Sequence, residues 1–185
     1  LHLSIRRQRQ MCIRDSNLDC KINDITPETV QHWENMKNIG VEGTKIKPEN
    51  LIYFGVRDTE EAEDKQIEKL DIRNYKVDEV RFRGLATCVD EALARLANCD
   101  LIYISFDVDS MDCDMISYGT GTPVSKGFDQ FEVMEIINRF IKSKKVACLE
   151  VVEVNPLLDT KGNKMAETAF DVLELSLIHI SEPTR

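Results

Sequence analysis

The chain has 185 residues and carries 24 Lys and Arg against 33 Asp and Glu, a net charge of −9. That acidic balance disfavours nucleic acid and anionic membrane surfaces as partners and suits a soluble protein that handles a cation. No apolar run in the sequence approaches the roughly 20 residues of a membrane-spanning helix.

Taken in order, residues 1–16 do not read as natural protein. Arg6 to Ser16, RRQRQMCIRDS, resembles a translation of the adapter DNA of transposase-based sequencing libraries, and Leu175 to Arg185, LSLIHISEPTR, resembles a translation of the partner adapter. Both ends are set aside from fold reasoning, so residues 17–174 are expected to be an internal piece of a longer protein. Without the flanks the balance is 19 basic to 31 acidic residues, about −12. Five cysteines remain, Cys20, Cys88, Cys99, Cys113 and Cys148, odd in number and without a CxxC pair. Reduced thiols and a cytoplasmic location are the expectation.

Thr26-Pro27-Glu28 predicts a helix start with Thr26 as cap, a helix to about Asn38 and a stop at Gly40 and Gly43. His32 lies on it and receives no role. Leu51 to Val56, LIYFGV, predicts a buried strand. The acids of Thr59 to Asp64 then open a helix to about Leu70, where they favour the helix dipole. Asn74 to Val77 suggests a short strand. Leu85, Val89, Leu93 and Leu96 mark a helix over 84–96, and Phe131, Met134, Ile137 and Phe140 mark another over 128–141. Val146 to Val154 predicts a further buried strand closed by Asn155-Pro156, and Met165 to Leu173 a last helix. Buried strands alternating with amphipathic helices predict an α/β fold with a parallel sheet covered on both faces, in one incomplete domain.

The densest stretch is Leu101 to Pro123, LIYISFDVDSMDCDMISYGTGTP. Leu101 to Phe106 predicts a strand buried on both faces. Asp107 and Asp109 follow, two positions apart, so strand alternation points both to one side. Paired carboxylates at the carboxyl end of a buried strand favour a hard divalent cation, in the crevice where open α/β sheets bind ligands. Asp112 and Asp114 read as turn or capping acids.

As a set, SFDVDSMD, GTGTP and EVNP resemble the ureohydrolases, the family of arginase, agmatinase and formimidoylglutamase, over most of Leu51 to Glu174. The resemblance implies a three-layer α/β/α fold with a parallel sheet, here truncated to its C-terminal half, and a binuclear Mn2+ centre. It implies that Asp107 and Asp109 bind manganese, that Glu153 pairs with the substrate guanidinium, and that Thr122 lies in the loop beside that glutamate. A fork of N–H donors matches the two oxygens of a carboxylate. In GVRDTEEAE the acids five and eight positions beyond the glycine, Glu60 and Glu63, fall where arginases read the α-amino group of arginine. The first is typically Asp there, and DCDMISYG also departs from the commoner DPSFTPA form.

The implied reaction is hydrolysis of arginine to ornithine and urea by two metal ions that acidify water. The family's GGDH and DAHxD ligand motifs do not occur in the sequence, so the fragment itself is expected to bind manganese weakly and to be inactive. The expected partner is a small guanidinium substrate, with no nucleic acid, no membrane, and a homo-oligomer at full length. Agmatinase and formimidoylglutamase are the sibling alternatives. A non-catalytic α/β interaction module is the alternative of another class. Phosphoryl chemistry would want a Gly-rich phosphate loop or a basic cluster beside the acids, and neither occurs.

Overall fold

In a computed structural model that describes residues 2–3, 26–40 and 45–181, the strands form two parallel sheets. The elements are β1 (His2–Leu3), α1 (Pro27–Lys37), β2 (Ile52–Phe54), α2 (Glu61–Lys69), β3 (Arg73–Tyr75), α3 (Val77–Arg83), α4 (Leu85–Arg95), β4 (Ile102–Asp107), α5 (Gln130–Lys142), β5 (Val146–Val152) and α6 (Lys164–Ser181). One sheet has the order β1-β4-β5 and the other pairs β2 with β3. β1 lies in residues set aside above, and pairs His2 with Ser105 and Leu3 with Phe106.

β2 shows the two-sided burial of a central strand. Ile52 and Phe54 point into a cluster built with Ile104 and Phe106 of β4, with Val89 of α4, Ile136 and Phe140 of α5, and Met165 of α6. Leu51 and Tyr53 point the other way, into a smaller cluster with Ile72, Ile67 and Leu70 around α2. Helices on both faces make this an α/β/α arrangement in three layers. Full burial of each such side chain contributes about 1.5–3 kcal/mol. Stacking of Phe54 on Tyr75, with ring centroids 4.7 Å apart, fixes β2 against β3.

Several expectations change in three dimensions. β4 is not buried throughout: Ile102, Ile104 and Phe106 are covered, whereas Leu101 is 70% and Tyr103 41% exposed. The α2 layer covers β2 and β3, and its cluster includes no residue of β4. β5 pairs with β4 but is only half-buried, with Ala147 and Cys148 exposed, so the strand expected to be fully buried has an open side. The helix expected over 84–96 is α4, and a further helix, α3, precedes it where none was expected; Gly84, with φ 90°, turns the chain between them, a conformation that glycine reaches without strain. On α5 the buried stripe is Val133, Ile136, Ile137 and Phe140, while Phe131 is 63% exposed.

Other expectations are met. Thr26 Oγ1 accepts from the Thr29 N–H at 3.2 Å, capping α1. Gly43 and Cys20 lie outside the described residues, and the four described cysteines are free thiols. The last helix starts as expected and continues to Ser181, carried past Leu173 by the buried face of Ala169, Val172 and Ser176. Among the described residues, no helix is long and apolar enough to cross a membrane.

The turn leading to α6 hangs on Asp159. Its carboxylate accepts from the Met165 and Lys161 N–H groups, both at 2.8 Å, and from Ser117 Oγ at 2.9 Å. Burial acts to raise its pKa, but these donors outweigh it and hold the carboxyl below its ordinary value. A group with a depressed folded-state pKa stabilises the fold above its unfolded value of about 3.9 and stops doing so as the pH falls. Asp159→Asn is therefore expected to melt below the wild type at neutral pH, with the gap narrowing below about pH 4. Thermal unfolding across pH checks this; a gap that stays constant under acid would contradict it.

Candidate metal and substrate site

β4 runs apolar to Phe106 and ends on Asp107, which is 2% exposed. Asp109 is not on the strand, as alternation had suggested. It sits in a 3-10 turn over Val108–Ser110, and Asp107 caps that turn by accepting the Asp109 N–H on Oδ1 at 2.9 Å. The two carboxylates still meet, through a tight turn rather than through pleating. Both line one cleft, together with Arg57, Asp58, Ser110 and Thr122. This cleft opens at the carboxyl ends of β2 and β4, where α/β sheets place ligands.

The GTGTP loop closes over Asp109. Thr120 and Thr122 donate their hydroxyls to its two carboxylate oxygens, Oδ1 and Oδ2. Hydrogen bonds from two hydroxyls hold the orientation of a carboxylate. Thr120, 1% exposed, was not singled out from the sequence. Its signal was its position two residues before Thr122, which turns both hydroxyls toward one group.

Glu153 follows β5 directly and adopts φ 66°. A bulky residue in the left-handed region costs on the order of 1–3 kcal/mol and persists only where its surroundings hold it. The GTGTP loop supplies that hold: the Asn155 N–H donates to Gly119 O at 2.8 Å. The Glu153 Oε2 lies 3.5 Å from where a Cβ on Gly121 would be. The loop that carries the two threonines thus carries Glu153 beside them.

Glu60 and Glu63 stand elsewhere. Glu60 caps α2 and Glu63 Oε2 accepts the Glu60 N–H at 2.9 Å, a reciprocal capping box. Neither lines the cleft that holds Asp107 and Asp109. Glu63 is 8% exposed, and its other oxygen, Oε1, is buried without a hydrogen-bond partner. Asp112 and Asp114 behave as turn acids: Asp112 Oδ1 accepts the Asp114 N–H at 3.0 Å.

A second residue missed from the sequence is Arg57, partly buried behind the acids. Burial pulls its guanidinium down from the ordinary value, while Asp112, Cys113, Asp109 and Asp107 pull it back up. It reaches the carbonyls of Asp109, in the turn after β4, and of Ser125, at the exit of the GTGTP loop. A lone arginine in GVRDTEEAE carried no sign of this, because these partners lie more than fifty residues away.

The donor set suits a hard cation in part. Asp107 and Asp109 offer oxygen ligands, the type that magnesium and manganese prefer. Among the described residues, no group of three or more His, Cys, Asp or Glu side chains is placed to hold a metal. The pair fits as part of a coordination sphere, not as the whole of one.

The sequence model of the Arginase family matches residues 10–178. The chain belongs to the arginase family. Arginase from Bacillus subtilis is 33% identical over 141 residues, which are 76% of this chain and 47% of that protein. Arginase from Bacillus caldovelox is 34% identical over 139 residues, 75% of this chain and 46% of that one. This member of the family therefore spans about half the length of the curated relatives it matches. The solved structure of the Bacillus subtilis arginase superposes with a TM-score of 0.72 at 32% identity, covering 82% of this chain and 51% of that one. Helicobacter pylori arginase gives 0.76 at 26% identity, covering 91% and 55%. A formimidoylglutamase from Bacillus subtilis gives 0.69 at 26% identity, covering 75% and 44%. The chain is a ureohydrolase-family member, most like the arginases.

Proposed function

We propose that residues 17–174 are the C-terminal part of a manganese-dependent arginase that hydrolyses arginine to ornithine and urea, with adapter-derived residues at 1–16 and 175–185. The observation that carries this reading is that Asp107, Asp109 and Thr122 line one cleft, with Thr120 also on the Asp109 carboxylate and Glu153 beside Gly121 of the loop that carries both threonines. Asp107 and Asp109 would hold manganese. When bound, the metal supplies Lewis acidity and lowers the pKa of water toward neutrality.

The chain's own residues do the rest. Thr120 and Thr122 fix both oxygens of Asp109, so that carboxylate is oriented before any cation arrives. Glu153, placed by its strained backbone, pairs with the guanidinium and aligns the carbon to be attacked, a positioning contribution. Phe54 and Val56 give the cleft an apolar side. Arginine is preferred to agmatine as the substrate on the likeness to arginases, and not on Glu60 and Glu63, which cap α2 outside the cleft.

The chain by itself contributes two carboxylate ligands and is proposed to bind manganese weakly and turn over nothing; the longer gene product supplies the remaining ligands. That product is proposed to be a cytoplasmic homo-oligomer. Urea release should be measured on the chain and on a gene product extended upstream, with arginine and with agmatine. We expect none from the chain and arginine-selective release from the longer protein. Urea from the chain alone, or a preference for agmatine, would overturn the reading.

A further inference from the structure

We infer that Arg57 is the positioning residue of this site: its guanidinium clasps the two loops that present Asp109 and Thr122 and holds them in one geometry. The inference rests on the metal reading above only for what the clasp achieves, not for its existence.

The Arg57 side chain donates to six backbone carbonyls. Nε reaches Ser125 O at 3.0 Å; Nη1 reaches Gly55 O at 3.2 Å, Asp109 O at 2.9 Å and Ser110 O at 3.4 Å. Nη2 reaches Met111 O at 3.0 Å and also bonds Val124 O. A guanidinium has five N–H donors in a rigid plane, so every donor is used and one contact is shared. Three separate pieces of chain are thereby joined: the end of β2, the turn after β4, and the exit of the GTGTP loop. None of them is joined to the others by a regular sheet ladder among the described residues, apart from the isolated Met111–Phe128 bridge.

The charge has a second consequence. Carbonyl oxygens crowd around the site, and two aspartates stand in the same cleft. A fixed cation behind them offsets this negative field yet, being tied to carbonyls, leaves the Asp109 oxygens to the threonines and to whatever binds in front. A lysine has the same charge but only three donors on a point-like head and cannot span the same set. Clasp and charge are therefore separable by substitution.

The test uses the chain as it stands with Arg57→Lys and Arg57→Met. Amide hydrogen exchange reports the clasp. We expect both variants to exchange at least about tenfold faster over residues 108–112 and 120–126, with β4 and α5 unchanged, as local rather than global opening. Manganese titration followed by the signal of the free ion reports the consequence, expected as a 10–100-fold weakening in both variants, the range for groups that orient a ligand. In the wild type, the Arg57 Nε–H should exchange at least about tenfold more slowly than that of a surface arginine, a readout that needs no variant to fold. Wild-type loop exchange retained by Arg57→Lys would overturn the clasp and leave charge alone. Tighter manganese binding by Arg57→Met would do so too, since it would make Arg57 merely a like charge opposing the ion. A fast-exchanging Nε–H in the wild type would also sink it. If the wild type binds no manganese, the metal reading fails, and the exchange measurements alone decide the role of Arg57.

Discussion

Phe128→Ala is expected to cost about 3–5 kcal/mol of folding stability, a large part of the 5–15 kcal/mol that a typical domain has. The ring is fully buried within the main hydrophobic cluster. It also fills the space over Gly55, where a Cβ would lie only 2.7 Å from Phe128 Cε2. Gly55 turns with φ 72° at the end of β2, so ring and glycine meet as a bulky and an absent side chain, which leaves Arg57 aimed at the loops. The Phe128 backbone is tied to the site as well: its N–H donates to Ser110 O at 3.0 Å and its carbonyl accepts from the Asp112 N–H at 2.9 Å. Removing the ring leaves a cavity at the point where the β2 exit, the turn after β4 and α5 converge. Denaturant unfolding should show the loss as a lower midpoint with little change in slope, and melting should fall by roughly 10 °C. Phe128→Leu should lose much less, because it refills most of the volume. A loss below about 1 kcal/mol for the alanine variant would mean that the site collapses without cost, against this packing.

The second large effect falls on chemistry rather than stability. Asp109→Asn, made in the upstream-extended protein, is expected to weaken manganese binding by more than about 100-fold, beyond the range seen when only an outer partner of a ligand is lost. The substitution keeps the shape of the side chain but removes its charge, and replaces one acceptor by a donor that faces the Thr122 hydroxyl. Urea release should fall in proportion when manganese is limiting. The melting temperature of the metal-free protein should change little, since the turn itself is capped by Asp107 and not by Asp109. Metal titration and metal-free melting, read together, separate loss of a ligand from loss of fold. Unchanged manganese affinity would remove Asp109 from the coordination sphere.

The layered α/β architecture was legible because each segment carries its own period. Ile52 and Phe54 alternate with Tyr53, and Val133, Ile136, Ile137 and Phe140 recur at helical spacing, so burial and secondary structure agree residue by residue. The helical pattern over 128–141 was right in kind and right at Ile137 and Phe140, which are buried, but Phe131 fits the same period and faces outward, and a sequence has no means of saying which of two adjacent apolar stripes meets the core. The helix α3 was missed because its one short stretch, VDEVRFR, buries only Val77 and Val80, too few apolar positions to show a helical period. The open side of β5 was missed because a strand paired on one edge and a strand covered on both faces can have the same apolar letters.

By itself the sequence determined that carboxylates cluster at the exit of a buried strand, and its motifs placed the chain among the ureohydrolases, because strand composition and short-range spacing are local properties. Only the tertiary structure decided that Asp107 and Asp109 meet through a capped turn, that Thr120 joins Thr122 on one carboxylate, that Glu60 and Glu63 cap α2 away from that cleft, and that Arg57 binds three loops at once. The threonine and Arg57 contacts cross from 11 to 68 residues of chain. They arise when packing of the apolar faces brings the strand ends together, and that folding step leaves no trace in the spacing of the letters.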